Sequence, residues 1–165
     1  MTIDTFWQVI ARSRSDVRRP SAVVRMDRQA KRLKELLEAM PQAGRAQFAR
    51  IFSELLDAAY RWDLWAAAHV LGGGCSDDGF SDFRSWLISM GRSVFESALK
   101  DPETLTDLQA DPTVEDFFFE EFQHVALQGL AGSRAVSSPR EPTGRKWSAA
   151  ELPAIVPRIW AARRR

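Results

Sequence analysis

Apolar side chains recur along this chain at the three- and four-residue spacing of amphipathic helices, and no run alternates convincingly with the period of two that marks a strand. Ile3, Phe6, Trp7 and Ile10 open the pattern, with Asp4 placed to favour a helix N-terminus. Arg18-Arg19-Pro20 should break it, because the residue before proline avoids the helical region. Val23, Met26, Ala30, Leu33, Leu37 and Met40 then form a heptad-like stripe. Pro41 to Gly44 reads as a turn. Phe48, Phe52, Leu55 and Ala59 repeat the spacing, widened by Ile51 and Leu56. Two such stripes across a short loop predict a long antiparallel αα-hairpin.

The second arm is expected to run on through Trp62, Trp65, Ala66 and His69 to Gly72-Gly73-Gly74, where glycine suits a left-handed cap. A new helix is expected from about Asp78, with Phe80, Phe83, Leu87, Met90, Val94 and Ala98 inward and Gly91 as a kink or close-packing point. Asp101-Pro102 and Asp111-Pro112 look like helix starts, the second leading into a helix over Val114–Leu130 with Phe118, Phe122 and Val125 on one side. Residues 132–146 lack periodicity and read as a flexible linker or surface loop. Ser148 with Glu151 forms a capping-box pattern. Leu152, Ile155, Val156, Ile159 and Trp160 follow as a stripe that Pro153 and Pro157 shorten. The expected architecture is all-α: a single-domain helical bundle containing the αα-hairpin. Residues 1–131 form its core, and residues 147–165 form a C-terminal helix docked on it.

Composition adds three constraints. A chain of 165 residues is long enough for one real core, and six Trp with ten Phe make that core aromatic-rich. No apolar run spans a bilayer, the N-terminus lacks a secretory leader pattern, and a lone Cys75 fits a reducing compartment, so the expected location is cytoplasmic. The net charge of +1 hides an acidic middle: residues 1–50 carry +6, residues 51–133 carry −11 and residues 134–165 carry +6. Either the basic ends fold back on that middle, or one of them meets an anionic partner.

The densest chemistry lies in Gly72–Arg84, GGGCSDDGFSDFR. Its plainest reading is punctuation: glycines stop one helix, Ser76 caps the next, and Asp77 and Asp78 suit its positive end. Three functional readings compete. Phosphate binding lacks a P-loop or dinucleotide spacing and would place phosphate beside two aspartates. A divalent cation would use Asp77, Asp78 and Asp82, the last two sharing a helix face, although no EF-hand pattern is present. Thiol chemistry at Cys75 would need a lowered pKa, and there a helix N-terminus and the two aspartates act in opposite directions. His69, about one and a half turns earlier, reaches the thiol only if the glycines fold the chain back. Cysteine and histidine are too few for a zinc set, and there is no Gly-x-Ser-x-Gly elbow. Asp116, Glu120 and Glu121 read as a solvated helix face, and Arg163-Arg164-Arg165 as an ordinary basic end.

Around this segment the chain resembles a bacterial family catalogued as domain of unknown function 4240. The resemblance rests on Thr5-Phe6-Trp7, on Asp63-Leu64-Trp65-Ala66-Ala67-Ala68, and most of all on Gly73-Gly74-Cys75-Ser76-Asp77-Asp78-Gly79-Phe80. Asp82-Phe83-Arg84, Trp86-Leu87-Ile88 and Gly91-Arg92 follow, and it extends through the Asp101-Pro102 and Val114–Gln128 helices. Gly144, Trp147, Leu152 and Pro153 fit its ending, while Ser81 replaces an expected tyrosine. The resemblance brings no activity with it. It implies that Asp77, Asp78, Asp82 and Arg84 do more than cap a helix.

The site expected from this reading is an Asp–Arg network around a pocket lined by Trp65 and Trp86, with His69, Cys75 and Ser76 beside it. The function expected is a protein-interaction or accessory module that uses the Gly72–Arg92 surface. The alternative is an enzyme, or a small-ligand or metal-binding protein, built on Asp77, Asp78, Asp82 and Arg84. The expected partner is another protein rather than nucleic acid or a membrane. No cofactor is expected, and a divalent cation is the one candidate ion.

Overall fold

A computed structural model of the chain describes residues 1–15, 22–111, 114, 116–130 and 141–163, the side chains of residues 22 and 23 excepted. The Arg18-Arg19-Pro20 break, the inward Val23, the Pro112 helix start, residues 131–140 and Arg164-Arg165 lie outside the described residues. Within them the fold is all-α, one helical domain.

Helix α1 (Ile3–Arg14) starts at Thr2, whose hydroxyl oxygen accepts from the Thr5 N–H at 3.1 Å. It buries Phe6, Trp7, Val9 and Ile10, while Ile3 stays exposed. Helices α2 (Ala22–Glu38) and α3 (Gln42–Ala58) follow one another across a turn at Ala39–Pro41, as the two stripes predict. Ala30, Leu33, Leu37, Phe48, Phe52 and Leu56 face inward from them.

The second arm does not continue to the glycines. It ends at Ala58, and a separate α4 (Trp62–Gly72) begins after an extended Arg61 (φ −136°, ψ 142°). The break has a distant cause. Thr143 donates its N–H to the Tyr60 carbonyl and accepts from the Trp62 N–H, both at 3.0 Å. A β-bridge of this kind needs backbone groups that a continuous helix would have used itself.

The stretch from Asp77 to Lys100 likewise divides. Helix α5 (Asp77–Ser89) and helix α6 (Arg92–Lys100) meet at Gly91, whose φ of +96° strongly favours glycine. Arg14 and Gln29 both donate to the Ser89 carbonyl, at 3.0 and 2.9 Å, and so cap the end of α5. Asp101 caps a 3₁₀ turn over Pro102–Leu105, and α7 (Thr106–Gln109) continues from it.

The expected helix over Val114–Leu130 is shorter than its pattern suggests. Helix α8 is Glu120–Leu127, and Asp116 to Phe119 run non-helically before it. Phe117, Phe118 and Phe119 must reach three different places, which a helix would not allow. Phe117 meets Trp86 edge-on at 5.0 Å, Phe118 packs over Gly72, and Phe119 lies 5.0 Å from Phe122. The Phe119 N–H bonds the Asp82 carbonyl at 3.1 Å, holding that arrangement.

Past residue 140 the chain returns to the core. The capping box is present: Glu151 accepts from the Ser148 N–H at 2.8 Å and its hydroxyl at 2.9 Å. The two prolines limit α9 to Leu152–Ile155 and start α10 at Pro157–Arg163. Leu152, Val156 and Ile159 are buried, and α9 and α10 both pack on α4. Buried Glu103 accepts from the Arg158 N–H at 2.7 Å and its Nε at 3.0 Å, so a carboxylate caps α10 from across the fold.

Seven phenylalanines are under 2% exposed, which confirms the aromatic core that composition predicts. Full burial of each contributes roughly 1.5–3 kcal/mol. α4 is hydrophobic nearly all round, with Leu64, Ala66, Ala67, Ala68 and Val70 at 0% exposure, and it packs against α5, α9, α10 and the Pro102–Leu105 turn. No helix among the described residues is long and apolar enough to cross a membrane.

Packing is tightest at Gly129, where an added Cβ would lie 2.3 Å from the Arg45 carbonyl oxygen. Backbone cannot yield there as a side chain would. Gly129→Ala is expected to cost about 2–3 kcal/mol, in the range of core overpacking, read as a lowered midpoint in urea unfolding.

Candidate functional site

Three nearly parallel rings support the Gly72–Arg84 segment. Trp62 stacks on Trp65 with centroids 5.1 Å apart, and Trp65 stacks on Phe80 of α5 at 5.0 Å. Offset stacking of this kind adds about 0.5–1.5 kcal/mol per pair beyond the area buried. The loop between α4 and α5 is folded over this stack. Gly73 closes α4 in the left-handed conformation (φ 72°), and the Gly74 N–H also bonds the His69 carbonyl, at 2.8 Å.

Two side chains of α4 then hold the loop. The Cys75 N–H donates to His69 Nδ1 at 3.2 Å, and the Trp65 indole N–H donates to the Cys75 carbonyl at 3.0 Å. The glycines do fold the chain back, but what they bring to His69 is a backbone amide and not the thiol. Because Nδ1 accepts, the proton of neutral His69 sits on Nε2. Ser76 caps α5 as predicted, its hydroxyl oxygen accepting from the Gly79 N–H at 3.1 Å. Burial, followed by the charge of Asp82, pushes the Cys75 thiol up to about 11. The thiol therefore stays protonated at neutral pH, opposite to what a nucleophile needs.

Arg84 is held inside the fold. Its guanidinium lies 4.5 Å from the Tyr60 ring centroid and 5.1 Å from that of Phe80. Nη1 donates to the Leu56 carbonyl at 2.8 Å and Nε to the Phe80 carbonyl at 3.3 Å. Burial holds its pKa below the ordinary arginine value. It forms no ion pair among the described residues, so the expected Asp–Arg network is not made by direct contact. Tyr60, which the sequence pattern did not single out, joins the two charges instead: its hydroxyl donates to Asp77 Oδ1 at 3.1 Å. Burial, then that hydrogen bond, raises the Tyr60 pKa.

These groups surround an open cavity of about 320 Å³. Its lining includes Tyr60, Asp77, Asp78, Ser81, Arg84 and Gln123. Asp77 and Asp78 are exposed, and Ser81 donates to Gln123 Oε1 at 3.0 Å. Asp82 is not in this lining. Burial first, then the nearby charges of Glu120, Asp78 and Asp116, raise its carboxyl pKa. Among the described residues no three His, Cys, Asp or Glu side chains gather as a metal-ligand set, so Asp77, Asp78 and Asp82 do not converge as the cation reading requires.

Trp65 and Trp86 do not share a pocket. Trp86 is buried beyond Phe80 and Phe83, against Phe117, and it borders a separate cavity of about 190 Å³ beside Arg14 and Gln29. The fourth wall of the Trp65 neighbourhood comes from the C-terminal segment. Trp147 meets Trp62, Trp65 and His69 edge-on, and its indole N–H donates to the Trp62 carbonyl at 2.7 Å. Its only sequence signal was its place in the family-like ending.

The family model described as Protein of unknown function (DUF4240) matches residues 1–130, and the chain belongs to that family. No curated protein and no solved structure matches it. The cavity lining named above falls within the matched residues, whereas Trp147, α9 and α10 lie beyond them.

Two tests follow from the charges here. The neutral Cys75 thiol is favoured by the fold, so its contribution to stability is complete below the ordinary thiol range and lost as pH rises through about 11. Iodoacetamide labelling of the folded protein should accelerate with that same midpoint, and a midpoint at the ordinary thiol value would refute the burial argument. Asp82 carries the opposite sign: its ionised form is disfavoured by the fold. Asp82→Asn should raise the melting temperature at neutral pH, and the gain should vanish as acid protonates Asp82 in the wild type.

Proposed function

We propose that this family member is an interaction module whose Asp77–Asp78 rim receives a basic segment of another protein. One observation carries the reading. Both carboxylates are exposed at the mouth of the cavity, and among the described residues neither forms an ion pair with Arg84, the cation in its lining. The negative charge at the mouth is therefore left available to a partner. Electrostatic complementarity of this sort steers encounter and selects partners more than it sets affinity.

The alternative, an enzyme or a small-ligand or metal site on Asp77, Asp78, Asp82 and Arg84, has weaker support. The separate thiol reading is no stronger, because Cys75 is pushed towards the thiol form and His69 Nδ1 already accepts a backbone N–H. Asp82, which the cation reading requires, is outside the cavity lining.

Fluorescence anisotropy with short labelled peptides tests the proposal. Lys/Arg-rich peptides should bind and Asp/Glu-rich peptides should not. Binding should weaken as salt shortens the screening length from about 10 Å at 0.1 M to about 3 Å at 1 M. The Asp77→Asn/Asp78→Asn variant should lose most of this binding while keeping its helical circular dichroism. Equal binding of acidic and basic peptides, or unchanged binding by the folded double variant, would overturn the reading.

A further inference from the structure

We infer that the cavity behind the rim is built for a polypeptide's free carboxyl terminus when the last residue is basic. The terminal carboxylate meets Arg84 and Gln123, and the side-chain cation meets Asp77 and Asp78. This rests on the interaction reading above and adds to it the identity of the segment received.

The argument begins with unused donors. A guanidinium has five N–H groups in a fixed fork, and Arg84 uses Nε and Nη1 on the Phe80 and Leu56 carbonyls. Its Nη2 makes no hydrogen bond among the described residues. Gln123 is in the same condition: its Oε1 accepts from Ser81, which leaves the Nε2 donors unmatched. Both side chains line the cavity, so these two sets of donors border one space, with the Asp57 carboxylate in the same wall and its charge acting on Arg84. The group that fits them is an acceptor with two oxygens, and arginine recognises carboxylate best in that geometry.

The rim restricts what can bring the carboxylate in. An anion alone is repelled by Asp77 and Asp78 at the mouth. A cation alone satisfies the rim but leaves the Arg84 and Gln123 donors unmatched and meets the like charge of Arg84. A ligand carrying both charges a few ångströms apart satisfies both ends, and a C-terminal lysine or arginine is such a ligand. The volume of about 320 Å³ lies at the small end of the roughly 300–1,000 Å³ of ligand sites, room for one terminal residue and not for a long insertion.

Isothermal titration of the full chain with three matched short peptides tests this. One ends in lysine with a free carboxylate, the second is its C-terminal amide, and the third ends in alanine with a free carboxylate. The first should bind about tenfold tighter than either of the others, a difference of about 1.4 kcal/mol. Gln123→Met, which keeps bulk but removes the donors, should narrow the gap between free acid and amide. Arg84→Lys should narrow it further, where circular dichroism shows that the variant is folded. Equal affinity for the acid and the amide would overturn the inference and leave the rim reading standing, since both peptides would still bind in a salt-sensitive way. Tight binding of the alanine peptide would overturn it too. If no basic peptide binds at all, the rim reading falls with it.

Discussion

The ring of Phe80 touches Trp65 on one side, Tyr60 and Phe83 on others, and the Arg84 guanidinium a turn further along its own helix. Most of what is distinctive in the structure depends on that junction. Through Trp65 it fixes how α5 lies on α4. Through Phe83 it passes to Trp86 and Phe117, so a file of rings runs from Trp62 to the segment before α8. Rigid rings lose few rotamers on burial, which makes such a file an effective way to set the distance between helices. The loop of Cys75 and the cap of Ser76 hold their positions because the helices on either side of them cannot shift independently.

Electrostatics is arranged around this apolar frame and not the reverse. The C-terminal basic end folds back on the acidic middle, where Arg158 bonds Asp101 and Glu103, while Arg92 of the middle pairs with Asp4 of the N-terminal end. The exposed pairs Arg158–Asp101 and Arg92–Asp4 contribute about 0–1 kcal/mol each. They make the C-terminal part of the bipolar charge pattern self-complementary. Among the described residues Asp77 accepts a side-chain hydrogen bond only from the uncharged Tyr60, and Asp78 and Asp82 form no ion pair. Two of these uncompensated carboxylates, Asp77 and Asp78, lie at the mouth of one cavity.

What could be read from the sequence was what local physics decides. The stripes of α1, α2, α3 and α5, the Ser76 cap, the glycine stop and the Ser148–Glu151 box depend on residues within a turn of each other, and they are present except that Ile3 is exposed and Val23 lies outside the described residues. The breaks at Arg61 and over Asp116–Phe119 were not legible. Their causes, Thr143 and the Asp82 carbonyl, sit far along the chain. The site divides in the same way. Asp77 and Asp78 stood out by type and spacing, whereas Tyr60, Gln123 and Trp147 reach it from other elements. Trp86, expected beside Trp65 in the pocket, lies close to the acidic motif in sequence but not in the site. Its burial between Phe83 and Phe117 gives it a part in the core instead.

Asp82 shows why the acidic surface calls for a functional account. Helix capping explains Ser76 and is compatible with Asp77 and Asp78 in the first turn of α5, where negative charge is favourable. Asp82 lies beyond that first turn, partly buried, with Glu120, Asp78 and Asp116 near enough to disfavour its ionisation. Nothing in the fold's own packing rewards a carboxylate there, and asparagine would fill the same space without the repulsion. Residues that lower stability without serving the fold are characteristic of sites shaped by what they bind. On the interaction reading proposed above, a cationic partner that neutralises Asp78 would also relieve Asp82, whose ionisation Asp78 disfavours from outside the cavity lining.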